Sequence, residues 1–228
     1  MFAAVCLAQS ALTIPKFKNT INVGQQSIEI TAWGTVSATT SAFALTVDLG
    51  DLQAHLTQVL SGQLNKSDRC GDHLTVEQAA IAPSAPSGML TANVNFERYA
   101  CVKVFGKQIV KRLVGGHAVI EVNLTPSVQE NNISMAADVR KIDADGSLGD
   151  LLRSSSLGDS IRDEISDSVE SAVQKSADLK STLPGSTEKA VTLQSIQFAD
   201  GGAGRLWLTA GGEVRLLVIR DSVKELSH

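Results

Sequence analysis

A chain of 228 residues with 43% hydrophobic and 19% charged residues is globular and long enough to bury a sizeable core. Its net charge of −4, with no Lys/Arg cluster longer than Lys111-Arg112, excludes the footprint of a nucleic-acid binder. No apolar run approaches the roughly 20 residues that span a bilayer. Aromatics are only 4%, so the core must be built from Val, Leu, Ile and Ala.

Residues 1–11 (MFAAVCLAQSA) read as a truncated signal-peptide remnant: an apolar run, then small residues at Ala8-Gln9-Ser10. Residues 12–25 carry little pattern. Ile28, Ile30, Ala32, Val36 and Ala38 then alternate with polar residues, and after Thr39-Thr40-Ser41 the apolar face passes to Phe43, Leu45 and Val47. This predicts a long one-sided strand or a bent pair. Asp48 is a candidate N-cap for a helix over 49–65, with Leu49, Leu52, Leu56, Val59, Leu60 and Leu64 as its stripe. His55 lies beside that stripe with no partner motif and reads as solvated or structural.

A hairpin is expected next, with arms over 73–82 and 88–105 and Pro83 to Gly88 as its turn. Such a turn sets residues whose numbers sum to about 171 or 172 opposite each other. Cys70 and Cys101 sum to 171, so a disulfide is geometrically natural; two buried free thiols are the alternative. The apolar alternation prefers 172, which a bulge, or Cys70 lying just before the strand, would reconcile. A disulfide and a signal remnant together indicate an oxidising compartment, the periplasm or outside the cell.

Gly106 allows a bend, and Gln108 to Val114 continue as strand. Gly115-Gly116 is a turn signal, Ala118 to Leu124 alternate until Pro126 stops the strand, and Ile133 to Val139 form another. Leu148 to Arg153 is a short helical segment. It leads into the most periodic stretch of the chain, a long helix over about 157–183, ended by Pro184-Gly185. Leu157, Ile161, Ile165, Val169 and Val173 recur every four residues, with Asp163, Glu164, Asp167 and Glu170 on the other side. Three strands close the chain, over 189–199, 204–210 and 213–220, with Asp200-Gly201-Gly202 and Gly211-Gly212 as turns. Residues 221–228 read as a charged tail.

These elements predict an α+β fold: a curved antiparallel sheet of about six to eight one-sided strands, with two amphipathic helices on its concave face. Residues 12–220 are expected to form a single domain. No G-x-S-x-G, H-E-x-x-H, paired C-x-x-C, P-loop or strand-linked G-x-G-x-x-G is present, and the four histidines are far apart. The chain is therefore not expected to be an enzyme, to hold a metal or to need a cofactor. Asp143-Ala144-Asp145-Gly146 resembles a piece of a calcium loop but lacks its other acidic positions and closing Glu, and reads as a turn. Either the helices seal a dry core or they leave an elongated apolar groove suited to a lipid chain.

The order of elements, with a long helix before a final β-meander, resembles the tubular lipid-binding (TULIP-like) superfamily, which includes bactericidal permeability-increasing-like proteins. The segment from Cys101-Val-Lys-Val-Phe-Gly-Lys through Leu148-Gly-Asp-Leu-Leu-Arg-Ser is similar in style to its bacterial envelope members. The resemblance covers residues 27–220 and implies an apolar ligand between helices and sheet, with no catalytic residues to carry over. The expected ligand-lining residues are Leu52, Leu56, Val59 and Leu60 on the first helix and Ile161, Ile165, Val169 and Val173 on the second. Members are often paired modules and this chain has the length of one, so a homodimer or an envelope protein partner stays open. A lipid-free structural or interaction module is the rival reading.

Overall fold

The computed structural model describes residues 11–23, 26–65, 70–105, 107–146, 148–150 and 191–214. Nine strands and one helix of several turns make up these residues: β1 (Ala11–Val23), β2 (Gln26–Ser37), β3 (Ala42–Asp48), α1 (Gly50–Leu64), β4 (Gly71–Ser84), β5 (Ser87–Val104), β6 (Lys107–Gln129), β7 (Asn132–Ala144), β8 (Val191–Asp200) and β9 (Leu206–Val214). The long helix expected over 157–183 lies outside the described residues, as do residues 1–10 and the last expected strand from 215 onward.

The α+β expectation is corrected here. The described chain is mostly β, and it forms two antiparallel sheets rather than one curved sheet: a five-stranded sheet ordered β1-β2-β3-β9-β8 and a four-stranded sheet ordered β4-β5-β6-β7. Two pairings make the split. The phase shift at 39–41 is a full reversal, so β2 and β3 are two paired strands, Thr31 opposite Asp48 through Val36 opposite Phe43. β3 then pairs with β9 instead of the hairpin that follows it in sequence. β1 is a strand despite its weak pattern. It is an edge strand, its first ten residues are mostly exposed, and alternation is not imposed on it.

Three expected strand breaks are corrected as well. β6 runs unbroken through Gly115-Gly116, and β9 runs through Gly211-Gly212. In neither place does the chain reverse, and at Gly212 the glycine serves close approach. A Cβ on Gly212 would strike the carbonyl oxygen of Thr192 in β8 and the Phe43 ring, and one on Gly116 would meet the Leu148 side chain at 3.4 Å. Pro126 also lies within β6. β5 has ended by that level, so Pro126 faces only Met135 of β7 and its missing N–H breaks no second ladder.

The β4–β5 hairpin forms, but the sum of 172 preferred by the apolar alternation does not occur. Its register sums to 171 from Ser84 opposite Ser87 to Gln78 opposite Asn93, then to 170 beyond a bulge at Val76/Gln78. Cys70 lies just before β4 and is bonded to Cys101, with Cα atoms 5.7 Å apart.

The core joins both sheets. Ile28, Ile30, Leu90, Val94, Ile120, Val122, Phe198 and Leu206 are all buried within one apolar cluster. Two polar links fix sheet to sheet at β8. The Phe198 N–H donates to the carbonyl of Pro86 at 2.9 Å. Asn131, in the β6–β7 turn, donates to the carbonyl of Val191 at 3.1 Å and accepts from the N–H of Leu193 at 2.6 Å.

Helix α1 starts one residue later than expected, and its N-cap is Leu49, with no side-chain cap bond, rather than Asp48. Asp48 still serves its first turn, accepting from the Gly50 N–H at 2.9 Å while its other oxygen meets Arg205 at 2.8 Å. Leu56, Val59 and Leu60 are buried against the core, and Leu52 and Leu64 pack beside them. Beside that stripe runs a polar row at four-residue spacing, Gln53, Thr57, Ser61 and Asn65. Gln53 donates to the carbonyl of Ile81, and Ser61 to that of Val76. Thr57 both donates to and accepts from the backbone of Ala79, and Asn65 accepts from the N–H of Val76. β4 is the outer strand of its sheet, and its open backbone edge is thus paired with helix side chains.

Candidate functional site

Residues 98–120 contain no Asp or Glu, although the whole chain carries −4. Within them Val102, Phe105, Ile109, Val110 and Leu113 are interleaved with Lys103, Lys107, Lys111 and Arg112. Among the described residues, the fold sets residues 100–111 of this stretch apart from the other strands. The last pairing of β4 is Gly71 opposite Tyr99, and the last pairing of β7 is Ala144 opposite Ala118. Beyond both, among the described residues, β5 and β6 continue alone, from Ala100 opposite Lys111 to Val104 opposite Lys107. Five residue pairs at about 3.3 Å each make a two-stranded ribbon roughly 17 Å long.

A two-stranded ribbon is marginal by itself in water, and its base is braced. The disulfide anchors Cys101 to the residue before β4. Gln108 donates to the Cys70 sulfur at 2.9 Å. Arg112 pairs with Glu97 at 3.2 Å, and the Tyr99 hydroxyl donates to Glu97 at 2.9 Å. That bond, with burial and the Glu97 charge adding to it, raises the Tyr99 pKa above 10.0; Arg112 opposes the shift. The ring of His73 leans on Tyr99, centroids 5.0 Å apart.

Beyond this brace the ribbon presents apolar side chains to water. Phe105, in the two-residue connection, is fully exposed, with a φ of 48°. Val102 and Ile109 lie directly opposite each other, hence on one face, and each is more than half exposed. Leu113, the extra residue of the bulge at the ribbon's base, is exposed too. Lys103, Lys107 and Lys111 form no ion pair among the described residues. Single exposed apolar residues are ordinary; a group of them at one projecting end marks an interaction surface.

The residues expected to line a ligand groove fall in two places. Leu52, Leu56, Val59 and Leu60 belong to the α1 stripe that packs on the core. Ile161, Ile165, Val169 and Val173 lie outside the described residues, together with the acidic positions Asp163, Glu164, Asp167 and Glu170. The ribbon was not singled out in the sequence. The readable signal was the 23-residue absence of acids around alternating Val and Lys, in an otherwise acidic chain.

No group of three or more His, Cys, Asp or Glu that could hold a metal ion occurs among the described residues. No described helix is long and apolar enough to cross a membrane. The Cys70–Cys101 disulfide fits an oxidising compartment. No family model matches the chain, and no curated protein matches it. Among solved structures, a crystal structure of lipopolysaccharide binding protein resembles it distantly, with a TM-score of 0.30 and 11% identity. That match covers 89% of this chain and 44% of the other, so this chain spans less than half the length of that protein.

Proposed function

We propose that this protein is exported to the periplasm or the cell exterior and binds a lipid or other apolar ligand without catalysing a reaction on it. The observation that supports this reading is the apolar surface held in water at the ribbon: Val102, Phe105, Ile109 and Leu113, with Val110 on the opposite face. Burying such surface against acyl chains contributes about 0.8 kcal/mol per methylene, without directional bonds. The disulfide supports export, and the resemblance read from the sequence implies an apolar ligand. Organic extraction of the purified protein followed by lipid mass spectrometry tests the reading. Stoichiometric lipid is the expected result, and a clean blank from protein purified without detergent contradicts it.

A second reading, a lipid-free structural or interaction module, is favoured by a different observation. Leu56, Val59 and Leu60 of α1 are buried against the core, and the polar row of α1 bonds the β4 backbone at Val76, Ala79 and Ile81, so α1 packs onto the core and the β4 edge. On that reading the blank is accompanied by capture of a defined envelope protein, and the capture is lost when the ribbon is altered.

A further inference from the structure

We propose that the β5–β6 ribbon is a docking device for an anionic lipid surface, entering it tip first. The proposal rests on the lipid reading for the chemistry of its partner and adds where, and through which charges, the protein meets that partner. Phe105 is the outermost apolar group. The Val102–Ile109 pair follows it, three residues back along β5, or about 10 Å. That depth matches the roughly 5–10 Å to which interfacial segments bury their apolar faces.

The lysines select the surface. Lys103 and Lys107 flank the tip on its two strands, opposite Gln108 and Val104 respectively, and Lys111 lies opposite Ala100 further back. With no acidic residue from 98 to 120, these ammonium groups are uncompensated within the stretch. Long lysine stems let the charges reach lipid phosphates while the neighbouring apolar groups enter the acyl boundary. A second copy of the chain is a poor occupant, because ribbon against ribbon would oppose like charges. The net charge of −4 on the whole chain sharpens the asymmetry, since this acid-free stretch is basic in an otherwise acidic chain. Brace and tip are complementary in role: the disulfide and the Glu97 contacts hold the base rigid, so the tip is presented preformed.

Flotation of the purified full chain with vesicles tests this, comparing pure phosphatidylcholine with a phosphatidylglycerol mixture. Wild type should float with anionic vesicles only, and salt should release it. Lys103→Gln and Lys107→Gln should each weaken binding roughly fivefold, and Phe105→Ser should abolish insertion. All three side chains are exposed, so unchanged thermal unfolding of the variants shows that the fold is intact. Equal binding to neutral vesicles, no binding, or binding that survives Phe105→Ser overturns the proposal; so does ribbon-dependent dimerisation in place of flotation. A lipid-extraction blank with intact flotation would remove the carrier reading and leave docking standing, while extracted lipid with no flotation would do the reverse.

Discussion

Thr57 holds the Ala79 backbone with one hydroxyl, donating at 3.2 Å and accepting at 2.9 Å. Thr57→Val keeps the shape and removes both bonds, leaving an N–H and a carbonyl of β4 without partners. The expected cost is about 1–3 kcal/mol, read as a lower denaturation midpoint with unchanged slope. Gly212→Ala acts through sterics. Its new methyl would meet the Thr192 carbonyl and the Phe43 ring, and a loss of about 1–3 kcal/mol is expected in the same assay. Glu97→Ala acts through a proton. Tyr99 is the chain's one tyrosine, so phenolate absorbance reports it alone. Its pKa is raised mainly by the bond to Glu97, so removing Glu97 should lower it, with Arg112 left to favour the phenolate. The sign for stability follows: the native state favours the neutral phenol, so this contribution is present below pH 10.0 and is lost as pH rises through the raised value.

Among the elements, the disulfide closes a sequence separation of 31 residues and braces the ribbon. Cys101→Ser should cost about 3–4 kcal/mol in the chain-entropy model, checked by chemical denaturation of the reduced and oxidised wild type beside the variant. This pairing is legible in the sequence because a single turn cluster sets the two cysteines nearly opposite each other, although it leaves sums of 171 and 172 both open. Cys70 does lie outside the strand, but the sum of 172 that the apolar alternation prefers does not occur: the pairing runs at 171 and the bulge takes it to 170. The glycine pairs were not legible in the same way. Gly115-Gly116 and Gly211-Gly212 have the composition of turns, yet both lie within strands, and the role of Gly212 is set by Thr192 and Phe43, which come close only after folding. Sequence-local reasoning reads a glycine as freedom for its own backbone; here the neighbours need the space. The polar row Gln53, Thr57, Ser61 and Asn65 was written at helical spacing, yet the apolar stripe beside it drew the reading. Its meaning depends on β4 being an edge, which is a property of topology.

At the scale of the molecule, nearly all strands between residues 26 and 144 were readable from alternation, because one-sided burial imposes period two. Their distribution over two sheets was not, since the β3–β9 pairing joins residues more than 150 positions apart with no local signal. The expected helix-lined groove rested partly on residues outside the described ones, and the surface that supports lipid binding is instead a projecting ribbon. The central claim is that this ribbon meets acyl chains. The most direct measurement replaces the tip, Phe105→Trp, and titrates the protein with anionic vesicles carrying bromine on the acyl chains. Strong quenching of the added fluorescence, beyond that of wild type with Trp33 and Trp207 alone, is the predicted result. A tryptophan at 105 that stays unquenched at saturating vesicle would contradict the account.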